Sequence, residues 1–201
     1  MQPIVKNLSR LVFMRQEAYR VAGPSPELFG YIRRHGLDTE TCLAHADIIN
    51  VALVRFLSGA PGDETFVFDV DGEPAAVIEA LLFDDYRQQV CADLVAWPLD
   101  APELFATAMG RNDGADVLGP QNMIQRHGAP LQVYRTPLAW LQAGCEGCVP
   151  LKPGARNWLA HAAGPFLVED IEHGHEIRVL LGPAARSHRI LIKNLPARKA
   201  A

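Results

Sequence analysis

Residues 64–99 place the strongest constraint on the fold, because short apolar runs alternate there with turn signals: ETFVFDVDGEPAAVIEALLFDDYRQQVCADLVAWPL. The dipeptide Asp71-Gly72 is typical of tight β-hairpins, and DDYR at residues 84–87 marks a second reversal. The pattern predicts an antiparallel meander of about three strands. We expect the strand-rich part of the chain to cover residues 48–99.

Residues 1–47 are predicted to form a helical cap on this strand-rich part. In SPELFGYIRRHG, Ser25 is a natural N-cap, Pro26 suits the first helical position and Gly36 ends the helix. LDTETCLAHA, residues 37–46, has the features of a second helix, with Asp38 as its cap. Two short helices joined at a glycine are also typical of a helix-turn-helix motif. However, the second helix carries acidic residues and no Lys or Arg, and a predicted apolar strand follows it. We therefore do not expect this pair to read DNA.

The last hundred residues alternate predicted helices and strands. After a helix predicted for residues 100–110, the extended segments LQVYR, CVPLK, PFLVED and SHRILIKN alternate with the helical segments TPLAWLQAG, PGARNWLAHAAG and IEHGHEIRVLLG. This spacing is typical of parallel strands joined by helical crossovers. Because no linker or repeat interrupts the chain, we expect one mixed α/β domain over residues 1–201. Its alternating part would cover residues 100–195, followed by a basic tail at 196–201.

The composition is that of a soluble globular protein. With 201 residues, 49% of them hydrophobic, the chain can bury a core without disulfides or metals. Its longest apolar run, IINVALVRFL, is shorter than the roughly 18 residues that span a bilayer. The N-terminal run LVFM is shorter than the core of a signal peptide. We expect a cytoplasmic protein with reduced cysteines, no membrane contact and no cofactor.

Charge is unevenly distributed along the chain. Eleven acidic residues and one basic residue lie at positions 63–103, whereas positions 182–201 hold five basic residues and no acidic one. Such a basic segment predicts a negatively charged partner, either nucleic acid or an acidic protein. Attraction between opposite ends of one molecule, or of two copies in a homo-oligomer, explains the same asymmetry. The candidate binding residues are Arg186, Arg189, Lys193, Arg198 and Lys199.

FVFDVDGEP, residues 66–74, resembles the first motif of the haloacid dehalogenase phosphatases, in which a strand ends in Asp-x-Asp-Gly-Thr. The resemblance implies Asp69 as the nucleophile and Asp71 as the acid/base. Glu73 stands where that family has Thr, and a strand instead of a helix is predicted to follow. A type I′ hairpin turn, which requires positive backbone φ angles, is the alternative explanation of the same Asp-Gly.

FLVEDIEHGHEI, residues 166–177, resembles the start of a Toprim domain, in which an apolar strand delivers a catalytic Glu before a helix. The resemblance implies that role for Glu169. Asp170 stands where the family usually has Gly, and no later Asp-x-Asp completes a magnesium site. A strand-to-helix turn capped by Asp170 is the alternative. Together with Asp69 and Asp71, these carboxylates define an enzymatic hypothesis: a divalent-metal-dependent hydrolase or nucleic-acid enzyme.

Cys145 and Cys148 form a CxxC motif, which occurs in redox and zinc sites. A redox pair opens a helix, whereas Cys145 follows a predicted helix end at Gly144. A zinc site needs further ligands, for which His161 is a candidate, but no fourth ligand follows it at the usual spacing. We therefore expect a helix-to-strand turn with two reduced, metal-free cysteines, and the metal site of Cys145, Cys148 and His161 is the alternative.

The segments DLVAWPLDAPELFATAMGRNDGADVLG and RTPLAWLQAG together resemble uncharacterised proteobacterial proteins associated with phage or mobile genes. This resemblance implies a bacterial setting and no particular activity. We therefore expect a non-catalytic binding or accessory protein whose basic C-terminal tail contacts nucleic acid or an acidic partner.

Overall fold

The computed structural model describes residues 6–21, 25–38, 40, 49–59, 64–83, 88–124 and 129–193. It has a mixed α/β fold, with helices at the N-terminus and alternating helices and strands in the C-terminal half, as the sequence predicted. A five-stranded β-barrel and a small, mainly parallel sheet share a hydrophobic core.

Two helices begin the described chain. Helix α1 (Leu8–Val21) lies across one end of the barrel, and α2 (Pro26–His35) packs on the core outside it. The predicted ends of α2 are confirmed, because the Ser25 hydroxyl accepts a backbone hydrogen bond and Gly36 has a φ of 62°. The second helix, predicted within residues 37–46, lies mostly outside the described residues. Within the described part, no helix is both long enough and apolar enough to cross a membrane.

The barrel strands are β1 (Ile49–Leu57), β2 (Thr65–Phe68), β3 (Glu73–Phe83), β4 (Gln89–Pro98) and β5 (Ala106–Thr107). They close in the order β1-β2-β5-β4-β3, and all neighbours are antiparallel except β2 and β5. Alanine, aliphatic and Phe side chains fill the interior. Met14 and Ala18 of α1 pack on this core and close one end of the barrel.

The prediction of a β-hairpin at Asp71-Gly72 is wrong, because β2 and β3 do not pair with each other. Strands β2 and β3 pair with opposite sides of β1, where Val54 has a partner on each side. Gly72 does not have a positive φ. A Cβ there would overlap the backbone of Val54, so glycine is needed because the chain crosses close to β1. The reversal predicted at residues 84–87 lies outside the described residues, although β3 and β4 pair antiparallel on either side of it.

The helix predicted for residues 100–110 is also wrong, since these described residues form turns and strand β5. The backbone of β5 pairs with Val95 and Ala96 of β4, and its Ala106 side chain packs in the barrel interior. Closure of the barrel therefore outweighs the local helix signals of this segment.

The C-terminal half contains β6 (Val117–Leu118), α3 (Gln121–Ile124), β7 (Leu131–Gln132), α4 (Pro137–Gln142), β8 (Val149–Pro150), α5 (Ala155–His161), β9 (Phe166–Val168), α6 (Ile171–Leu181), a 3-10 helix (Gly182–Ser187) and β10 (Ile190–Ile192). Strands β7, β9 and β10 are parallel neighbours, and a parallel bridge between Val133 and Cys148 joins β8 to the other side of β7. Strand β6 pairs antiparallel with β8. The predicted alternation and parallel pairing are confirmed from β7 onwards.

Helices cover both faces of this sheet. Helix α4 packs in the core shared with the barrel, whereas α5 and α6 pack in a second core on the opposite face. The chain leaves β7 for β8 on one side and later reaches β9 on the other. The carboxyl ends of β7 and β9 therefore form a topological switch point, where open α/β sheets commonly bind ligands.

Candidate nucleic-acid interface

Basic side chains surround the outer edge of the C-terminal sheet, where β10 is the last strand. They are Arg156 of α5, Arg178 of α6, Arg186 of the 3-10 helix, and Arg189 and Lys193 on either side of β10. All five are exposed. We call this surface the basic edge.

Contacts between neighbouring elements make the basic edge continuous. A Cβ on Gly182 would lie 3.9 Å from the guanidinium carbon of Arg156, so Arg156 lies beside the start of the 3-10 helix. Arg178 lines a shallow cleft together with Ile190 and Ile192 of β10. The helices and the strand therefore present their cations on one region of the surface.

The alternation of side chains along β10 gives the basic edge two sides. Ile190 and Ile192 face α6, where Ile190 lies against Gly174. Arg189 and Lys193 therefore face the other side of the sheet. Because α6 also carries Arg178, cations lie on both sides of β10 and can contact an anionic chain that runs along this edge.

The cations of the basic edge have no ionic partner among the described residues. None of the five side chains forms an ion pair or a hydrogen bond in that part of the chain. Other arginines are neutralised by carboxylates: Arg55 lies 2.5 Å from Asp69, and Arg135 lies 2.6 Å from Asp170. Unpaired positive charge is therefore concentrated at the basic edge, which favours binding of an external anion.

Two acidic side chains lie close to this surface. Glu172 lines the same cleft as Arg178, and Glu176 is held by Arg135 at 3.1 Å. The described part of the basic edge therefore keeps a net positive charge, because its five cations outnumber Glu172, which shares the cleft and is not paired with Arg135.

An ionic cluster around Arg135 occupies the switch point. Its guanidinium donates to both carboxylate oxygens of Asp170, at 2.6 and 2.9 Å, and lies 3.6 Å from Glu169. These hydrogen bonds hold the pKa of Asp170 well below its usual range, because they stabilise the charged form. Asp170 also accepts a hydrogen bond from the His173 N–H at 2.8 Å and caps α6, as the strand-to-helix interpretation predicted.

The imidazole of His173 lies buried beside this cluster. Its Nδ1 accepts a hydrogen bond from the Glu169 N–H at 3.3 Å. Burial, together with the nearby Arg135, lowers the pKa of His173 to about 4, and burial raises the pKa of Glu169. The cluster thus contains a neutral imidazole and carboxylates that already bind Arg135. The ion pairs of Arg135 with Asp170 and Glu176 hold the end of β7 against α6.

The other two carboxylates of the enzymatic hypothesis lie on the barrel. Asp69 follows β2, pairs with Arg55 and accepts a hydrogen bond from the Asp71 N–H at 2.9 Å. The structure brings Glu169 and Asp170 together, but it does not bring the barrel pair to them. Among the described residues, no group of three or more His, Cys, Asp or Glu side chains is arranged to hold a metal ion.

The two cysteines of the CxxC motif are buried in different cores. Cys145 packs in the core shared with the barrel, and Cys148 packs in the core beneath α5 and α6. Cys145 has a φ of 62°, and its N–H donates to the Trp140 carbonyl, which confirms the predicted helix-to-strand turn. His161 is exposed on α5, with its Nδ1 2.6 Å from the Asn157 carbonyl oxygen. These side chains therefore do not converge on one point.

Only part of the basic edge is predictable from the sequence. Arg186, Arg189 and Lys193 cluster near the end of the chain and were predicted. Arg156 of α5 and Arg178 of α6 were not predicted, because they are distant in sequence and join the surface through packing. Arg198 and Lys199 lie outside the described residues.

No protein-family model, curated protein or solved structure matches the chain.

Proposed function

We propose that the protein is a non-catalytic binding or accessory protein that contacts the phosphate backbone of nucleic acid through the basic edge. The supporting observation is that five exposed cations around β10 have no ionic partner among the described residues. Phosphates bind such a surface favourably, because each contact releases counterions from the nucleic acid.

The composition of the basic edge favours backbone contacts over base recognition. Four of its five cations are arginines, whose planar guanidinium groups bind phosphate oxygens in pairs. The exposed large apolar side chains in this region are the aliphatic Ile171, Val179 and Ile192. Since stacking on bases uses aromatic side chains, we expect binding with little sequence preference.

Fluorescence anisotropy with labelled duplex DNA and single-stranded RNA, between about 50 and 200 mM salt, tests this function. If all five cations contact phosphates of duplex DNA, the logarithm of the association constant falls with that of salt concentration with a slope of about −4.5. The variant Arg178→Gln/Arg186→Gln/Arg189→Gln is expected to make this slope shallower by about 2.7.

Arg20→Gln/Arg33→Gln/Arg34→Gln is the matched control, because it removes three exposed cations from α1 and α2 instead. It should leave the slope unchanged. The proposal is wrong if the wild-type protein binds neither nucleic acid at low salt, or if the triple variant and this control bind equally well. Equal competition by poly-glutamate and nucleic acid would instead assign the basic edge to an acidic protein partner.

A divalent-metal-dependent enzyme is the second candidate function. One observation favours it: Glu169 and Asp170 follow a parallel strand at the switch point, where such sheets often carry active sites. Arg135 would have to release these carboxylates before a metal could bind them. A metal that binds the folded protein raises its thermal midpoint, so titration with Mg²⁺ and Mn²⁺ tests this function. No shift in the wild type, or the same shift in Glu169→Gln/Asp170→Asn, contradicts it.

A further inference from the structure

The end of the barrel opposite α1 opens into a cleft that is both acidic and apolar, which we call the acidic mouth. Its carboxylates belong to the exposed Glu64, Glu73 and Glu103. Its apolar lining includes the exposed Leu57 and Leu104. No basic side chain lines it within the described residues. This surface therefore complements a segment that combines aliphatic and cationic side chains.

The C-terminal residues of the chain have this chemistry. Residues 194–201 read NLPARKAA and contain no acidic side chain. Leu195 and Pro196 supply apolar groups, and Arg198 and Lys199 supply two positive charges. The segment is thus complementary to the acidic mouth in both charge and polarity.

The topology of the sheet brings Lys193, the last described residue, close to the acidic mouth. Leu151, which lines the mouth, follows β8, and Lys193 follows β10, so both lie at the carboxyl edge of the parallel strands. In the order β8-β7-β9-β10, three strand spacings, or about 14 Å, separate them across the sheet, and Leu151 lies about two residues further along the strands, so the distance between them is about 16 Å. The five residues from Lys193 to Arg198 extend about 17 Å, which is enough to cover this distance.

We infer that residues 195–199 dock in the acidic mouth of the same molecule, with Arg198 and Lys199 beside Glu73 and Glu103. The contact holds two cations of the basic tail away from the basic edge. Nucleic acid and the acidic mouth then compete for these cations, so the docked segment is a regulatory contact. The docking itself does not depend on nucleic-acid binding, because none of the five cations of the basic edge lines the acidic mouth.

Limited trypsin digestion of the full chain, followed by intact-mass measurement, tests this docking. Trypsin cuts after Arg198 and Lys199, and a docked segment is protected from it. Glu73→Gln/Glu103→Gln is expected to speed these cuts about fivefold at low salt, the size expected for the loss of exposed ion pairs. Salt at about 0.5 M should speed cutting of the wild type to a similar extent, because it screens the same attraction.

Glu27→Gln/Glu146→Gln removes two exposed glutamates outside the acidic mouth and should leave the cutting rate unchanged. Circular dichroism checks that each variant keeps the fold. Equal cutting of the wild type and Glu73→Gln/Glu103→Gln at low salt would overturn the docking. No nucleic acid is present in this measurement, so its failure is distinct from failure of the proposed function.

Discussion

Lys152 and Asp93 form a buried ion pair that joins the C-terminal sheet to the barrel, with Nζ 2.6 Å from Oδ2. Asp93 also accepts hydrogen bonds from the N–H groups of Leu94 and Met109. Lys152 donates a second hydrogen bond to the carbonyl oxygen of Asp113 at 2.5 Å. Burial raises the pKa of Asp93 to about 6, although attraction to Lys152 opposes this rise. Each of the two buried charges is therefore stabilised by the opposite charge of its partner.

Replacing Lys152 with Met leaves Asp93 buried without its cation. The free energy of unfolding is expected to fall by about 3–5 kcal/mol, the usual cost of breaking a buried ion pair. Urea denaturation followed by circular dichroism measures this change. Lys193→Met, at an exposed lysine of the same sheet, should change the free energy by less than about 0.5 kcal/mol.

The double variant Lys152→Met/Asp93→Leu separates charge from packing. It is expected to recover most of the lost stability, because neither charge then remains buried without a partner. If the double variant is as unstable as Lys152→Met alone, the loss comes from packing and not from the unpaired carboxylate.

Gly72→Ala tests the close crossing of the chain over β1. A Cβ at this position would overlap the backbone of Val54, which the barrel holds in place on both sides. We expect a loss of about 3 kcal/mol in the free energy of unfolding, measured by urea denaturation. Gly30→Ala is the control, because a Cβ there meets no atom within 4 Å in α2 and should stabilise the protein by about 0.5–1 kcal/mol. A fully stable Gly72→Ala protein would contradict the crossing.

Local signals predicted the ends of α2 and the C-terminal alternation correctly. Ser25 and Thr136 each accept a hydrogen bond from a backbone N–H three residues later, and each precedes a Pro at the first helical position. Such caps act within one turn, so the sequence around them contains all the information needed. The same holds for Asp170, which caps α6 in this way.

Long-range pairing explains what the sequence did not predict. The hairpin at Asp71-Gly72 was wrong because β2 and β3 use opposite sides of β1, and a dipeptide carries no information about that choice. The prediction of the basic edge was incomplete for a similar reason, since Arg156 and Arg178 join this surface through contacts of α5 and α6 with neighbouring elements. Lys152 carries no local sign that its partner lies 59 residues earlier.

The buried His173 predicts how stability depends on pH. Its pKa is about 4 in the folded protein and about 6.5 in the unfolded chain, so the unfolded chain takes up the proton first as pH falls. Stability from this group is therefore present above pH 6.5 and is lost as pH falls towards 4. At pH 5 the loss is about 2 kcal/mol relative to neutral pH.

The variant His173→Asn isolates this contribution. Asn keeps a side-chain acceptor near Nδ1 but does not titrate, so urea denaturation from pH 7 to 4.5 should show a weaker loss of stability than in the wild type. His175→Asn, on the exposed side of the same helix, should keep the pH dependence of the wild type. If wild type and His173→Asn lose stability in parallel, another group controls the acid transition.

The burial of Cys145 and Cys148 predicts that both thiols are reduced, metal-free and slow to react in the folded protein. Burial also raises the pKa of the Cys91 thiol, so this cysteine should react slowly as well. Maleimide labelling at neutral pH, followed by peptide mass mapping, measures each site, and the same reaction in guanidinium chloride shows full labelling. Cys42 lies outside the described residues, so no labelling rate is predicted for it. Rapid native labelling of Cys145 or Cys148, or zinc that copurifies in equimolar amount, would show that the turn is a reactive or metal-binding motif.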